Sequence, residues 1–273
     1  MFTTFHRRVL TALLISSAFA AFPAVASASH SWGGYHWART QSPFTLKLGD
    51  NVSSAWDASL SDASNDWSTS IVLDTTIVTG GNVSKPRNCR PTGGRVEVCS
   101  AKYGNTGWLG LAQIWVGGSH ITQGVTKLND TYFNTATYNT PGWRHLVMCQ
   151  EIGHTFGLDH QDEGFNNTNL GTCMDYTNNP YGPPSNEHPN QHDYDELDII
   201  YQHLDSTTTV GQTANKMPPA ANNTEHTGPP QVGTAQWGKL IRSTNGGRTE
   251  VFELDFGGGH KVFTFVIWAE GEE

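Results

Sequence analysis

Basic residues are in short supply in this chain. Its 273 residues contain 16 Lys and Arg against 25 Asp and Glu, so the formal net charge is −9. A chain with this balance is repelled by polyanions, and we therefore expect neither nucleic acid nor an anionic membrane surface as a partner. Internal repeats are also lacking, so a repeat architecture is not expected.

Long apolar runs are lacking beyond the first residues. The one such run, residues 9–22, follows Arg7 and Arg8 and is shorter than the roughly 20 residues that a bilayer-spanning helix needs. Residues 24–28 then supply two Ala-x-Ala steps that suit a signal peptidase. We therefore expect residues 1–28 to be a secretory signal peptide, and the mature protein to be secreted and monomeric, without a membrane span.

Cysteine is rare, and its four positions are Cys89, Cys99, Cys149 and Cys173. An even number of cysteines in an exported protein predicts two disulfides. The local pairs are Cys89 with Cys99, which flank a PTGG segment typical of a hairpin turn, and Cys149 with Cys173. The competing pairings would cross the domain, and the sequence alone leaves them open.

The central part of the chain alternates strand-like segments with helical ones. Apolar and polar residues alternate in FTLKLGD, residues 44–50, as in a half-buried strand. Four further strands are predicted between Gly and Asn turns, at SIVLDTTIV, RVEVCSA, GLAQIWVGG and ITQGVTKLN. The pattern predicts an α+β fold with a mixed, twisted sheet and a helix laid across it.

Three helices are predicted. The first is capped by Ser53 or Ser54 and carries one apolar face. The second runs from Thr140, with a proline in its first turn, to Gly157, which stops it. The third covers residues 192–204.

Composition divides the chain after the last predicted helix. Residues 206–233 are rich in Thr, Asn, Pro and Ala and nearly free of large apolar residues, which predicts a linker after a main domain at 29–205. Residues 234–273 contain three strand-like runs but are too few for an independent core. We expect this small β-strand extension to pack as a meander on the main domain, and a substrate- or surface-binding module is the alternative.

The chemistry is concentrated in CQEIGHTFGLDHQ. Gln150 and His154 stand four residues apart on one helix, so their side chains project from the same face and can grip one metal ion. Glu151, one step round, can reach a metal-bound water without being a ligand. Gly157 allows a sharp turn that brings His160 back toward the same point.

This segment, Q-E-x-x-H-x-x-G-x-x-H, resembles the metzincin consensus H-E-x-x-H-x-x-G-x-x-H of zinc metallopeptidases. Gln150 stands where the family has its first zinc histidine. The later segment GTCMDYT resembles the Met-turn that underlies the zinc in that family and places Met174 there. The resemblance covers residues 44–204, and the order of the elements is most similar to bacterial matrixin-like domains.

The resemblance implies a secreted zinc-dependent endopeptidase that hydrolyses peptide bonds in protein or peptide substrates. His154, His160 and Gln150 would hold the zinc, and Glu151 would act as general base on the metal-activated water. Tyr176, two residues after Met174, would stabilise the oxyanion. By analogy with the family, the substrate would lie extended along the edge strand GLAQIWVGG.

The glutamine at a ligand position leaves a second hypothesis open. A neutral amide oxygen is a poorer zinc ligand than imidazole, so the chain could be an inactive pseudopeptidase that acts as an extracellular binding protein. Asp159, His188 and His192 are alternative third ligands. His145 is half a turn out of phase with His154 on the helix and should point away.

Overall fold

The computed structural model describes Met1 and residues 29–212 and 237–270. These residues form a mixed β-sheet with a few α-helices packed on it, so the predicted α+β class is confirmed. The expected signal peptide, apart from Met1, and most of the expected linker lie outside the described residues. No helix in the described ranges is long and apolar enough to cross a membrane.

Nine strands and four α-helices follow one another within the described ranges. The strands are β1 His36–Trp37, β2 Phe44–Asn51, β3 Leu73–Thr79, β4 Val96–Ala101, β5 Trp108–Gly117, β6 His120–Asn129, β7 Lys239–Thr244, β8 Thr249–Gly257 and β9 His260–Trp268. The helices are α1 Asp57–Trp67, α2 Asp130–Phe133, α3 Pro141–His154 and α4 Gln191–Ile200.

All strands belong to one sheet, in the order β3-β2-β4-β6-β5-β9-β8-β7, with β1 added beside β6. Strands β3, β2, β4 and β6 run parallel, whereas β5 is antiparallel to β6. The three C-terminal strands continue the sheet as an antiparallel meander, with β9 paired to β5. The C-terminal extension therefore adds to the main sheet.

Helix α1 buries its apolar face against α3. Leu60, Ala63 and Trp67 are almost completely buried, and the indole of Trp67 donates to the backbone oxygen of Cys149 on α3. The predicted caps, Ser53 and Ser54, were wrong. The helix begins at Asp57, its N-cap position is Trp56, and no side chain caps it. The Trp56 backbone N–H donates to the Ser53 carbonyl at 2.8 Å, so a turn precedes the helix.

Helix α3 begins as its sequence predicts and ends at His154, three residues before the expected stop at Gly157. The Thr140 side chain accepts from the Trp143 backbone N–H, and Pro141 occupies the first turn, where its missing N–H is not needed. Beyond the helix, Gly157 has φ +99, and a Cβ there would lie 2.1 Å from the Tyr35 carbonyl oxygen. Only glycine fits this position.

The disulfides are Cys89–Cys99 and Cys149–Cys173, the two local pairs expected from the sequence. The hairpin expected between Cys89 and Cys99 is wrong, because Cys89 lies in the loop before β4, and β4 pairs with β2 in parallel. The second bridge joins α3 to the segment that carries Met174. The bridge therefore holds the helix that carries Gln150 and His154 to the segment that carries Met174.

We expect the Cys149–Cys173 bridge to stabilise the protein more than the Cys89–Cys99 bridge. The cysteines are separated by 24 and 10 residues respectively. The loop-entropy relation then gives losses of about 3.4 and about 2.7 kcal/mol when each pair is replaced by alanine. Urea unfolding of the two double variants measures the difference, and non-reducing peptide mapping would contradict the arrangement if it linked Cys149 to Cys89 or Cys99.

Candidate metal centre

The buried face of α3 and the turn after it bring two imidazoles together. His154 is in the last turn of the helix, and the reversal at Gly157 returns the chain so that His160 approaches it. The two Nε2 atoms are 3.0 Å apart, and both residues are buried. Two nitrogens bound to one tetrahedral zinc at about 2.0–2.1 Å lie about 3.3 Å apart, so this spacing fits a shared metal ion.

The other nitrogen of each ring indicates where the lone pairs point. Nδ1 of His154 is 2.9 Å from the Leu158 carbonyl oxygen, which only accepts, so this nitrogen carries the proton. Nδ1 of His160 faces the carboxylates of Asp159 and Glu163 at 3.6 Å each. The proton on His154 Nδ1 leaves its Nε2 lone pair directed at His160 Nε2, and a cation bound there would contact both rings.

Gln150 lies four residues before His154 on α3 and carries a further oxygen donor atom. Its side-chain Nε2 donates to the Cys173 carbonyl at 2.9 Å, which fixes the orientation of the amide. Its Oε1 is buried and has no hydrogen-bond partner among the described residues. A buried carbonyl without a partner is costly, and a metal ion would satisfy it. The Gln150 oxygen and the two histidine nitrogens are donor atoms of the kinds that zinc accepts.

Glu151 is buried between α3 and β5. A Cβ placed on Gly110 of β5 would lie 3.0 Å from the Glu151 Oε1, so the glycine makes room for this carboxylate. Its Oε2 has no hydrogen-bond partner in the described part of the chain. Burial raises the pKa of Glu151 well above its ordinary value, which makes its carboxylate a stronger base.

Tyr176 and Met174 also lie at this place. The ring of Tyr176 is 4.5 Å from that of His160, and burial raises the pKa of the Tyr176 hydroxyl, so it remains a hydrogen-bond donor. Met174 packs beneath α3, where a Cβ on Gly153 would lie 2.6 Å from its sulfur. Tyr176 therefore contacts one of the two histidines, and Met174 contacts the helix that carries the other.

Of the alternative third ligands, Asp159 lies beside His160 and forms with it and Glu163 a group that could hold a metal ion, whereas the two histidines contact other parts of the chain. Asp159 forms a bidentate pair with Arg242 of β7. Burial alone would raise the pKa of the Asp159 carboxyl, but Arg242 together with His160 and His154 lowers this pKa below its ordinary value. His188 is exposed and bonded to Asp66. His192 stacks on the ring of His30.

His145 points away from the centre, as its phase on the helix predicted. Its ring lies near the carboxylates of Asp62 and Glu187. Its contacts are therefore with charged groups on other elements.

The C-terminal meander covers the candidate centre. Phe265 of β9 stacks on His154, with ring centroids 4.6 Å apart and planes 6° from parallel. Strand β9 pairs along the whole of β5, with Phe265 opposite Ala112. The free edge expected at GLAQIWVGG for a substrate is therefore filled within the described structure.

Sequence reasoning missed this covering set of Phe265 and Arg242. One signal was present: HKVFTFVIWA is apolar at nearly every position, and such a pattern is typical of a strand buried on both faces. The structure buries residues 262–267 of this strand on both faces. No pattern in the sequence predicts the pairing of Arg242 with Asp159, because the two residues are 83 positions apart.

Comparison with known proteins gives little further information. No protein-family model matches the sequence, and no curated protein is significantly similar to it. A solved structure that resembles the chain is that of high choriolytic enzyme 1, a hatching enzyme zinc-protease from the medaka fish Oryzias latipes. The two are 12% identical, the alignment covers 61% of this chain and 94% of that chain, and the TM-score is 0.33, too low to carry an argument.

Substitution of Gln150 tests whether it is a ligand. Gln150→His should tighten zinc, because imidazole is the stronger donor and can keep the hydrogen bond to the Cys173 carbonyl through its other nitrogen. Gln150→Ala should weaken zinc by about tenfold or more, because one donor is removed. Competitive titration with a zinc-binding dye measures all three proteins, and His192→Ala is the control. Equal zinc affinity of the wild type, Gln150→His and Gln150→Ala would show that Gln150 is not a ligand.

Proposed function

We propose that the chain is a secreted zinc-dependent endopeptidase with a metzincin-like catalytic domain, and that its own C-terminal strands keep it latent. The observation that supports this function best is the convergence of the His154 and His160 Nε2 atoms at 3.0 Å. Gln150 lies four residues before His154 on the same helix, and its oxygen has no hydrogen-bond partner in the described ranges. Two disulfides are compatible with an oxidising, extracellular compartment.

Each group at the centre has a role in hydrolysis of a peptide bond. Zinc, when bound, would lower the pKa of a water molecule and polarise the scissile carbonyl. Glu151 takes a proton from the attacking water and passes it to the leaving amine nitrogen. The Tyr176 hydroxyl donates to the negative charge that develops on the carbonyl oxygen. Met174 supports the ligands from below.

The meander occupies the place that a substrate would need. An extended peptide binds an enzyme of this kind by adding a strand to the sheet edge, here β5. Strand β9 already makes that antiparallel pairing, and its Phe265 ring covers a zinc ligand. The Arg242 pair with Asp159 fastens β7 next to His160. A substrate can enter only when these strands move away or are removed.

A non-catalytic binding protein on the same fold is the second candidate function. The pairing of β9 along β5 favours this function, because it leaves that edge unavailable to a peptide substrate. In a latent peptidase the same pairing would have to be released before hydrolysis. The two functions differ in whether opening the cleft produces hydrolysis, so variants that loosen the meander distinguish them.

We expect Arg242→Ala to increase peptide hydrolysis by at least about tenfold, equivalent to about 1.4 kcal/mol of lost docking energy. Removal of the guanidinium leaves the partly buried Asp159 carboxylate without its partner, which weakens the hold of β7. Lys239→Ala on the same strand is the matched control, because Lys239 is exposed. Initial rates on a quenched fluorescent peptide measure the effect.

Three outcomes of this experiment are informative. Activation by Arg242→Ala alone supports the latent endopeptidase. Equal, measurable hydrolysis by the wild type and both variants would show that the protein is a peptidase but is not latent. Absence of hydrolysis from the zinc-loaded Arg242→Ala variant would leave the binding protein as the function.

In the Arg242→Ala background, Glu151→Ala should reduce hydrolysis by about 100-fold or more, because general base catalysis is lost. The bound zinc should stay, since Glu151 is not a ligand. Metal analysis and peptide cleavage of the same preparation measure both properties. A chelator should inactivate the parent, and added zinc should restore it. Retention of full turnover without Glu151 would contradict the mechanism.

A further inference from the structure

Three histidines and one aspartate from separate parts of the chain converge at a second place. His36 lies on β1, His120 begins β6, and His203 and Asp205 follow α4. The Nε2 atoms of these histidines are 3.5, 3.2 and 3.7 Å, respectively, from Oδ1 of Asp205. The ligand atoms of His36, His203 and Asp205 all lie within 4.8 Å of one another, and His120 adjoins this group through a hydrogen bond between its Nε2 and Asp205 Oδ1.

The hydrogen bonding of His36 shows which way its lone pair points. Its Nδ1 lies 2.9 Å from the Gly34 carbonyl oxygen, which only accepts, so Nδ1 carries the proton. The buried Nε2 has no hydrogen-bond partner in the described chain and faces the carboxylate of Asp205. A cation held between this nitrogen and the Asp205 carboxylate oxygen would be attracted to both.

The same arrangement is found at the candidate catalytic centre. There, His154 also gives its Nδ1 proton to a backbone carbonyl and directs Nε2 at the other donors. A metal-ligating histidine commonly donates its second N–H in this way, because the bond fixes the tautomer and the ring orientation. His36 therefore has the hydrogen bonding expected of a ligand.

Backbone structure holds these donors in place. His36 and His120 are register partners in the parallel pairing of β1 with β6, so their side chains lie side by side. Asp205 exchanges two hydrogen bonds with the Arg39 backbone, giving its N–H to the carbonyl at 2.7 Å and accepting the N–H through Oδ2 at 2.9 Å. Oδ1 remains for the histidines.

We propose that His36, His120, His203 and Asp205 form a second metal site, which binds zinc or a similar divalent transition metal. Three imidazole nitrogens with one carboxylate oxygen are a donor set that suits tetrahedral zinc. Calcium prefers oxygen ligands and should not compete. The site shares no donor with the catalytic centre, so it is independent of the proposed peptidase activity.

The metal would join three elements that are distant in sequence. It would link the two-residue strand β1 to β6 and to the segment after α4. A bound ion of this kind stabilises the folded state, because the unfolded chain cannot present the four donors together. The expected role is structural, at the point where the N-terminal segment and the end of the main domain meet.

Zinc titration of the full chain tests the site. His203→Ala should weaken one zinc ion by about tenfold or more and reduce the rise in melting temperature that zinc produces. His188→Ala is the matched control, because its side chain is 54% exposed against 53% for His203, and each is paired with an aspartate. The control should bind zinc as the wild type does.

A background of His154→Ala separates this site from the catalytic one. His203→Ala should remove one zinc ion in that background as well, whether or not the catalytic centre binds zinc. Zinc should also shift the Nε2 resonance of His36 in a nitrogen-15 spectrum and leave its protonated Nδ1 unchanged. Unaltered zinc binding by both His203→Ala and His120→Ala, or zinc binding without a change at His36 Nε2, would overturn the proposal.

Discussion

The chain reversal at Gly157 is the constraint on which the candidate site depends. It sets the end of α3 and places His160 against His154 while the backbone passes within contact of the Tyr35 carbonyl. A side chain at this position would collide with that carbonyl and would resist the positive φ. The packing of Trp67 and the Cys149–Cys173 bridge hold α3 in place beside this reversal.

The sequence predicts the local parts of this arrangement well, because each is encoded within a few residues. The cap at Thr140, the stop at Gly157 and the four-residue step from Gln150 to His154 are local signals, and α3 begins at the predicted cap and ends three residues before the predicted stop. The prediction of the α1 cap was wrong, because a backbone turn between Ser53 and Trp56 precedes the helix and the N-cap position falls on Trp56.

The long-range parts could not be predicted in the same way. An apolar pattern in β9 indicates that the strand is buried but does not say beside which strand, and the pairing with β5 depends on the whole sheet. The same holds for the cluster around Asp205. Its donors come from β1, a strand of two residues, and from positions 120, 203 and 205, so no spacing in the sequence brings them together.

The addition of the meander also changes which edge the sheet presents to its surroundings. Strand β5 is ten residues long and buried along nearly its whole length, so its bare edge would expose a long row of unpaired backbone groups. Strand β7 replaces it as the edge with six residues, a register irregularity and the charges of Lys239 and Arg242. Such an edge resists pairing with other chains. Release of the meander would therefore create a surface prone to self-association, and the opened protein should remain monomeric only while a peptide occupies β5.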